Sequence, residues 1–276
     1  MKKIYSLFAA LLLVTVVNAQ THNLQQLWEV TEKLPVPESV LYVPERHELF
    51  VSLIDGQGNV KDGKGGVAIL NLDGSMKNAT WITGLNAPKG MAMLSDKGLL
   101  YIADITAVVV VDIVTGNVVD EIEIEGSVFL NDVAADEEGV IYVSDTRINK
   151  IYRIKDGKYE LYMDNVTSVN GLKSVGSELY ALAGPELWKI DAKKNITVLA
   201  RGLEQNGDGI EPVGNGDFLV TCWAGIIYYV KADGTLSKLL DVQGKMNTAD
   251  LGYHPEKKIL YIPTFNNNSV IAYELK

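Results

Sequence analysis

Short runs of β-branched and aromatic residues alternate along this chain with clusters of Gly, Asp and Asn. Residues 128–154 display the unit most clearly. Asn131 heads a short apolar strand, and a turn follows at 136–139. A second strand covers 140–143, a polar turn 145–149, and a third strand 150–154. Runs of this kind, closely spaced and bounded by turn formers, predict an all-β meander.

The unit recurs. An apolar triplet with a large or aromatic centre appears as Leu49-Phe50-Val51, Leu100-Tyr101-Ile102, Ile141-Tyr142-Val143, Leu179-Tyr180-Ala181, Phe218-Leu219-Val220 and Leu260-Tyr261-Ile262. Successive centres lie 51, 41, 38, 39 and 42 residues apart. A period near 40 suits a propeller blade of four strands. The long first interval contains a Gly-rich insertion at 55–66. Each triplet is followed by a polar turn and a further apolar strand (67–70, 108–111, 150–153, 226–229). Hairpin-type dipeptides come next: Asp73-Gly74, Thr115-Gly116, Asp156-Gly157 and Asp233-Gly234. More polar segments such as 158–163 and 236–240 then form an outer strand. The prediction is an all-β, six-bladed β-propeller with four-stranded blades. The sixth blade stops at its third strand, 270–275, while 25–30 is a spare strand before the first blade. That segment is expected to supply the missing strand and close the ring, removing an exposed edge.

Lys2 and Lys3, the apolar stretch 4–17 and Val17-Asn18-Ala19 resemble a secretory signal peptide over 1–19, leaving one propeller domain at 20–276. The expected destination is the periplasm or the outside of the cell. An apolar run of about 14 residues is short of the roughly 20 that a membrane span needs, so no stable membrane anchor is expected. The formal charge of −10 and the lack of a basic run argue against nucleic acid as a partner. Cys222 is the only cysteine, which rules out an internal disulfide; its apolar neighbours predict a buried strand thiol. Residues 58–65 nearly match a phosphate-binding loop, but they lack its final Ser or Thr and precede a strand. They read instead as a Gly-rich lid over one channel mouth. His47 and His254 fall in turns and read as surface residues.

Ten to twelve residues before each triplet centre stand Glu38, Lys89, Asn131, Asn170, Asp208 and Ala249. Equivalent positions in a propeller form a ring around the central channel. Two carboxylates and two amides facing one another suit a hard cation such as Ca²⁺ or Mg²⁺. Without a cation, Glu38 and Asp208 would repel and one would take up a proton. The alternative is that these side chains cap strand starts and bind channel water.

The order Glu38-Ser39, Asn131-Asp132, Asn170-Gly171-Leu172 and Asp208-Gly209-Ile210 resembles the senescence-marker-protein and gluconolactonase family, which includes regucalcin. The resemblance implies a six-bladed propeller that holds one divalent cation (Ca²⁺, with Zn²⁺ or Mg²⁺ as alternatives) and hydrolyses sugar lactones or related esters. Glu38, Asn170 and Asp208 correspond to the family's metal ligands, and Asn131 to a nearby metal- or substrate-facing Asn. On this reading the cation polarises the carbonyl of a small-molecule substrate. Asp208, or alternatively Asp250, takes the proton of the attacking water, and Asn131 orients substrate or water. Phe129 and Trp223 line the mouth. Two features depart from the family pattern. Phe129 stands where some members carry a substrate-holding Arg. Lys89, within 86–92, belongs to a segment resembling NHL-type repeats, and its ammonium either balances the carboxylates or grips an anionic group. A second expectation is therefore a non-catalytic NHL-like propeller that binds a ligand or a protein partner. An ion pair from Lys89 to Glu38 or Asp208 would favour it.

Overall fold

The computed structural model describes residues 22–276; the expected leader at 1–19 lies outside the described residues. Six four-stranded antiparallel sheets follow one another around a channel. The inner strands are Pro37–Val43, Pro88–Leu94, Leu130–Ala135, Val169–Val175, Ile210–Gly214 and Gly252–His254. The apolar triplets occupy the second strands: Glu48–Leu53, Leu99–Asp104, Ile141–Asp145, Glu178–Ala183, Asp217–Cys222 and Ile259–Pro263. The sequence pattern therefore locates all six blades. A single 3₁₀ turn, Phe265–Asn267, is the one helical element among the described residues.

Closure follows the expected route. Leu24–Val30 pairs antiparallel with Val270–Leu275, from Leu24 opposite Leu275 to Val30 opposite Val270, so the first strand of the chain completes the last sheet. The Ser269 hydroxyl also donates to the Glu29 carboxylate at 2.8 Å. The third strand of the last blade is thereby paired on its outer side rather than left as an open edge.

Among the described residues the core divides into six large apolar clusters, each between two neighbouring blades, and a small seventh of Ile54, Ala87 and Ile105. One packs Ala92, Val108 and Val110 of the second blade against Val133, Val143 and Tyr152 of the third. Another packs Leu49, Val51 and Ala68 of the first blade against Tyr261, Val270 and Ala272 of the sixth. Each inner sheet is thus covered on both faces, which is why its strands read as continuous apolar runs rather than as strict alternation. Cys222 is fully buried, as expected. His254 corrects the sequence reading. It is buried, with its ring stacked on Tyr42 at 4.4 Å between centroids and its Nε2 3.2 Å from the Tyr42 hydroxyl. The turn residues around it are exposed, but the aromatic partner comes from 212 positions away and leaves no local signal.

Candidate functional site at the channel mouth

Each of the first four inner strands opens with a register shift against its neighbour, at 37–39, 88–91, 130–133 and 169–172. Such bulges re-aim side chains at a sheet edge. Here the shifted positions are the predicted ring residues Glu38, Lys89, Asn131 and Asn170. Hydroxyls on the second strands receive the backbone N–H groups that the shifts leave over. Ser52 accepts from Ser39 and Ser144 from Asp132, at 2.9 and 3.0 Å; in the fifth blade, which opens without such a shift, Thr221 accepts from Gly209 at 2.9 Å.

Neighbouring inner strands approach closely at the next layer down. A Cβ on Gly209 would lie 2.5 Å from the Asp250 Oδ1 and 2.6 Å from the Leu251 nitrogen. One on Gly90 would run into the Asp132 carboxylate and backbone. The glycine after Lys89 and after Asp208 is thus required by the aspartate of an adjacent blade. Those aspartates staple blades together. Asp132 accepts from the Leu172 N–H at 2.6 Å, and Asp250 accepts from the Ser39 hydroxyl at 2.5 Å. Below them lies a cavity of about 210 Å³, lined by Ser39, Asp132, Lys173, Glu211 and Asp250 among others. Lys173 and Glu211 pair there at 2.6 Å.

The ring itself is enclosed. Glu38, Lys89, Asn131 and Asp208 are 5%, 2%, 6% and 3% exposed, and Asn170 is half-buried. Asn170 donates its amide N–H to Asp208 Oδ1, and Asn131 donates to Thr146 Oγ1 at 3.0 Å. Glu38 Oε2 and Asp208 Oδ2 are buried with no hydrogen-bond partner. Burial pushes both carboxyls up. Asp208 reaches about 8, with the field of Asp250 adding to desolvation and the Asn170 hydrogen bond opposing it. Glu38 is raised well above its ordinary range by burial and then by Asp208 and Asp250. Asp250 rises to about 7, chiefly by burial. Lys89 does not supply the missing counter-charge by contact. It joins no salt bridge among the described residues. Its ammonium instead donates to the Ala87 carbonyl at 2.8 Å and sits 4.4 Å from the Phe129 ring centroid. Burial lowers it to about 8, against the fields of Glu38 and Asp104.

An orphaned buried carboxylate oxygen is costly unless a cation or a proton meets it. Two carboxylates and an amide are donor types of the kind a hard ion takes. Among the described residues no three His, Cys, Asp or Glu side chains have metal-ligand spacing. A cation at the ring would therefore draw on Glu38 and Asp208 together with the Asn170 amide. Oxygen donors of this kind suit Ca²⁺ better than Zn²⁺, which prefers nitrogen and sulfur. Fields and a hydrogen bond thus link Glu38 to Lys89 and Asp208, and Asp208 to Asn170, whereas the Asn131 amide is turned to Thr146. Ala249, at the sixth position, is fully buried and contributes its carbonyl to the Thr221 hydroxyl at 2.9 Å. Phe129 and Trp223 belong to the loops of the same face. Trp223 is 43% exposed and meets Phe265 edge-on, 5.4 Å between centroids. A Cβ built on Gly58 would lie 3.9 Å from the Phe129 ring, so the Gly-rich loop reaches the mouth. Sequence reasoning missed Arg147, Lys173 and Glu211. Lys173 and Glu211 lie on successive inner strands, three residues after Asn170 and after Asp208, and that shared offset was a usable signal.

No protein-family model matches the sequence, and no curated protein matches it. Solved structures do. A streptogramin B lyase matches with a TM-score of 0.68 at 11% identity, covering 93% of this chain and 98% of its own. A catalytically inactive virginiamycin B lyase from Staphylococcus aureus, solved with quinupristin, gives 0.63 at 12%, covering 92% and 100%. The nidogen–laminin complex gives 0.64 at 17%, covering 77% and 86%. The likeness is one of fold. It covers an enzyme of small molecules and a protein complex alike, so the site has to carry the functional argument.

Proposed function

We propose that the chain is an exported, cation-dependent hydrolase of sugar lactones or related esters, working at the mouth of the propeller channel. The observation that carries this reading is the pair of orphaned, buried carboxylate oxygens on Glu38 and Asp208, left unpaired while Lys89 turns to Ala87. Glu38, Asp208 and Asn170 would hold the ion, Ca²⁺ first, with Zn²⁺ or Mg²⁺ as alternatives. When bound, a divalent cation supplies Lewis-acid polarisation of a carbonyl and stabilisation of the developing oxyanion. The protein's own groups do the rest. Asn131, held by Thr146, orients substrate or water. Asp208 takes the proton of the attacking water, with Asp250 in the layer beneath the ring as the alternative. Trp223 and Phe129 offer apolar surface to the substrate. The leader-like residues 1–19 support export to the periplasm or beyond.

The test is a screen of sugar lactones and simple esters with purified protein, with and without chelator. Chelator-sensitive hydrolysis that is lost in Asp208→Ala supports the proposal. Activity indifferent to both would refute it. The burial of the ring favours a second reading: the ion or a proton is structural, and the rim bearing Trp223 binds a ligand or protein partner. That reading expects no turnover of any ester at any cation concentration.

A further inference from the structure

Two cationic side chains meet one aromatic ring at the mouth. The Lys89 ammonium lies 4.4 Å and the Arg147 guanidinium 4.3 Å from the Phe129 ring centroid. Both loops are fixed from beneath by buried aspartates. Asp104 accepts from the backbone N–H groups of Asn86 and Ala87 at 2.8 and 2.7 Å, which aims the Ala87 carbonyl at Lys89. Asp145, fully buried, accepts from the backbone N–H groups of Phe129 and Arg147, each at 3.2 Å. The arrangement is therefore built before any ligand arrives.

Its donors are largely unspent. An ammonium has three N–H groups and a guanidinium five. Lys89 makes a hydrogen bond to Ala87. Neither Lys89 nor Arg147 joins a salt bridge among the described residues. This occurs in a chain of net charge −10, where a positive corner stands out from its surroundings. Stacking on the ring leaves the edge of a guanidinium free to form a forked pair with a planar anion.

We propose that Arg147, stacked on Phe129 and backed by the buried charge of Lys89 on the same ring, forms a subsite for a carboxylate, so that the substrate of this mouth carries a negative charge. The word substrate rests on the hydrolase reading above; the anion site does not. A carboxylate is favoured over a phosphate because Asp104, whose field acts on the Lys89 ammonium, would oppose a doubly charged group more strongly than a singly charged one. A carboxylate held on the side of the second and third blades leaves the remainder of the molecule over the ring, towards Glu38 and Asp208.

The test is calorimetric titration of the purified chain at low ionic strength with glutarate, with its neutral diamide and with inorganic phosphate. Glutarate should bind saturably and the diamide should not. Arg147→Gln should weaken glutarate by about ten-fold, the loss of a charge-assisted hydrogen bond in a partly solvated site. Lys89→Gln should weaken it as well. Asp208→Asn removes a proposed cation ligand and should keep glutarate binding, which separates failure of the anion site from failure of the cation site. Equal binding of acid and diamide, phosphate binding tighter than glutarate, or wild-type affinity in Arg147→Gln would each overturn the proposal. Arg147 is exposed, so its variant is not at risk of failing to fold.

Discussion

Replacing Asp208 by Asn removes one ring carboxylate while preserving its size and an oxygen able to accept from Asn170. In chelator-treated protein the Asp208 carboxyl stands at about 8 against an ordinary 3.8. An acid whose pKa is raised by folding binds its proton more tightly in the folded state. Its contribution to stability is complete below about pH 4 and disappears as pH climbs through about 8. The full interval corresponds to at most about 6 kcal/mol. Relaxation, water entry and proton sharing with Glu38 and Asp250 reduce it to roughly half. The assay is urea unfolding at pH 5 and pH 8, with chelator and with excess Ca²⁺. Wild type with chelator should lose about 2–3 kcal/mol from pH 5 to pH 8, and Asp208→Asn should lose much less. Excess Ca²⁺ at a hundred times its Kd should restore about 2.7 kcal/mol to wild type at pH 8 and little to the variant. The same pH slope in both proteins, with no effect of Ca²⁺ on either, would refute the reasoning.

Three further outcomes follow from the geometry. Gly209→Ala drives a Cβ into backbone atoms of residues 250 and 251 as well as the Asp250 carboxylate, so it should cost about 2 kcal/mol or more in urea unfolding, with far less lost in Gly58→Ala, where the nearest atom would lie 3.8 Å away. Lys173→Met alone leaves the half-buried Glu211 without its partner and should cost about 1–2 kcal/mol, whereas Lys173→Met with Glu211→Leu should be near neutral, a difference that a double-mutant cycle measures. The Cys222 thiol, fully buried and pushed up to about 12, should resist a thiol reagent in the folded protein and react on unfolding; rapid labelling of native protein would contradict its placement.

Local pattern was enough for the blades. Triplets such as Leu100-Tyr101-Ile102 and turns such as Asp73-Gly74 encode strands and hairpins within a few residues, and the spare segment before the first blade announced the closure. The ring was legible because it repeats in register: the bulge that aims Glu38 also aims Lys89, Asn131 and Asn170. What pattern could not show are contacts made between blades. Asp132 meets Leu172 across 40 residues, and Tyr42 meets His254 across 212, so a buried histidine looked like a turn residue. The direction of Lys89 was equally hidden. Its sequence neighbours allow an ion pair with Glu38, and only the carbonyl of Ala87, set by Asp104, takes the ammonium elsewhere.

The cation is the point on which the account turns. Calorimetric titration of Ca²⁺ into chelator-treated protein at pH 7, repeated in two buffers of different ionisation enthalpy, addresses it directly. The account predicts about one ion per chain, with protons released as Glu38 and Asp208 give up the charge-balancing hydrogens that burial makes them hold, and no binding in Asp208→Ala. No saturable binding of Ca²⁺, Mg²⁺ or Zn²⁺ up to millimolar concentration would contradict it, and would assign the orphaned oxygens to shared protons instead.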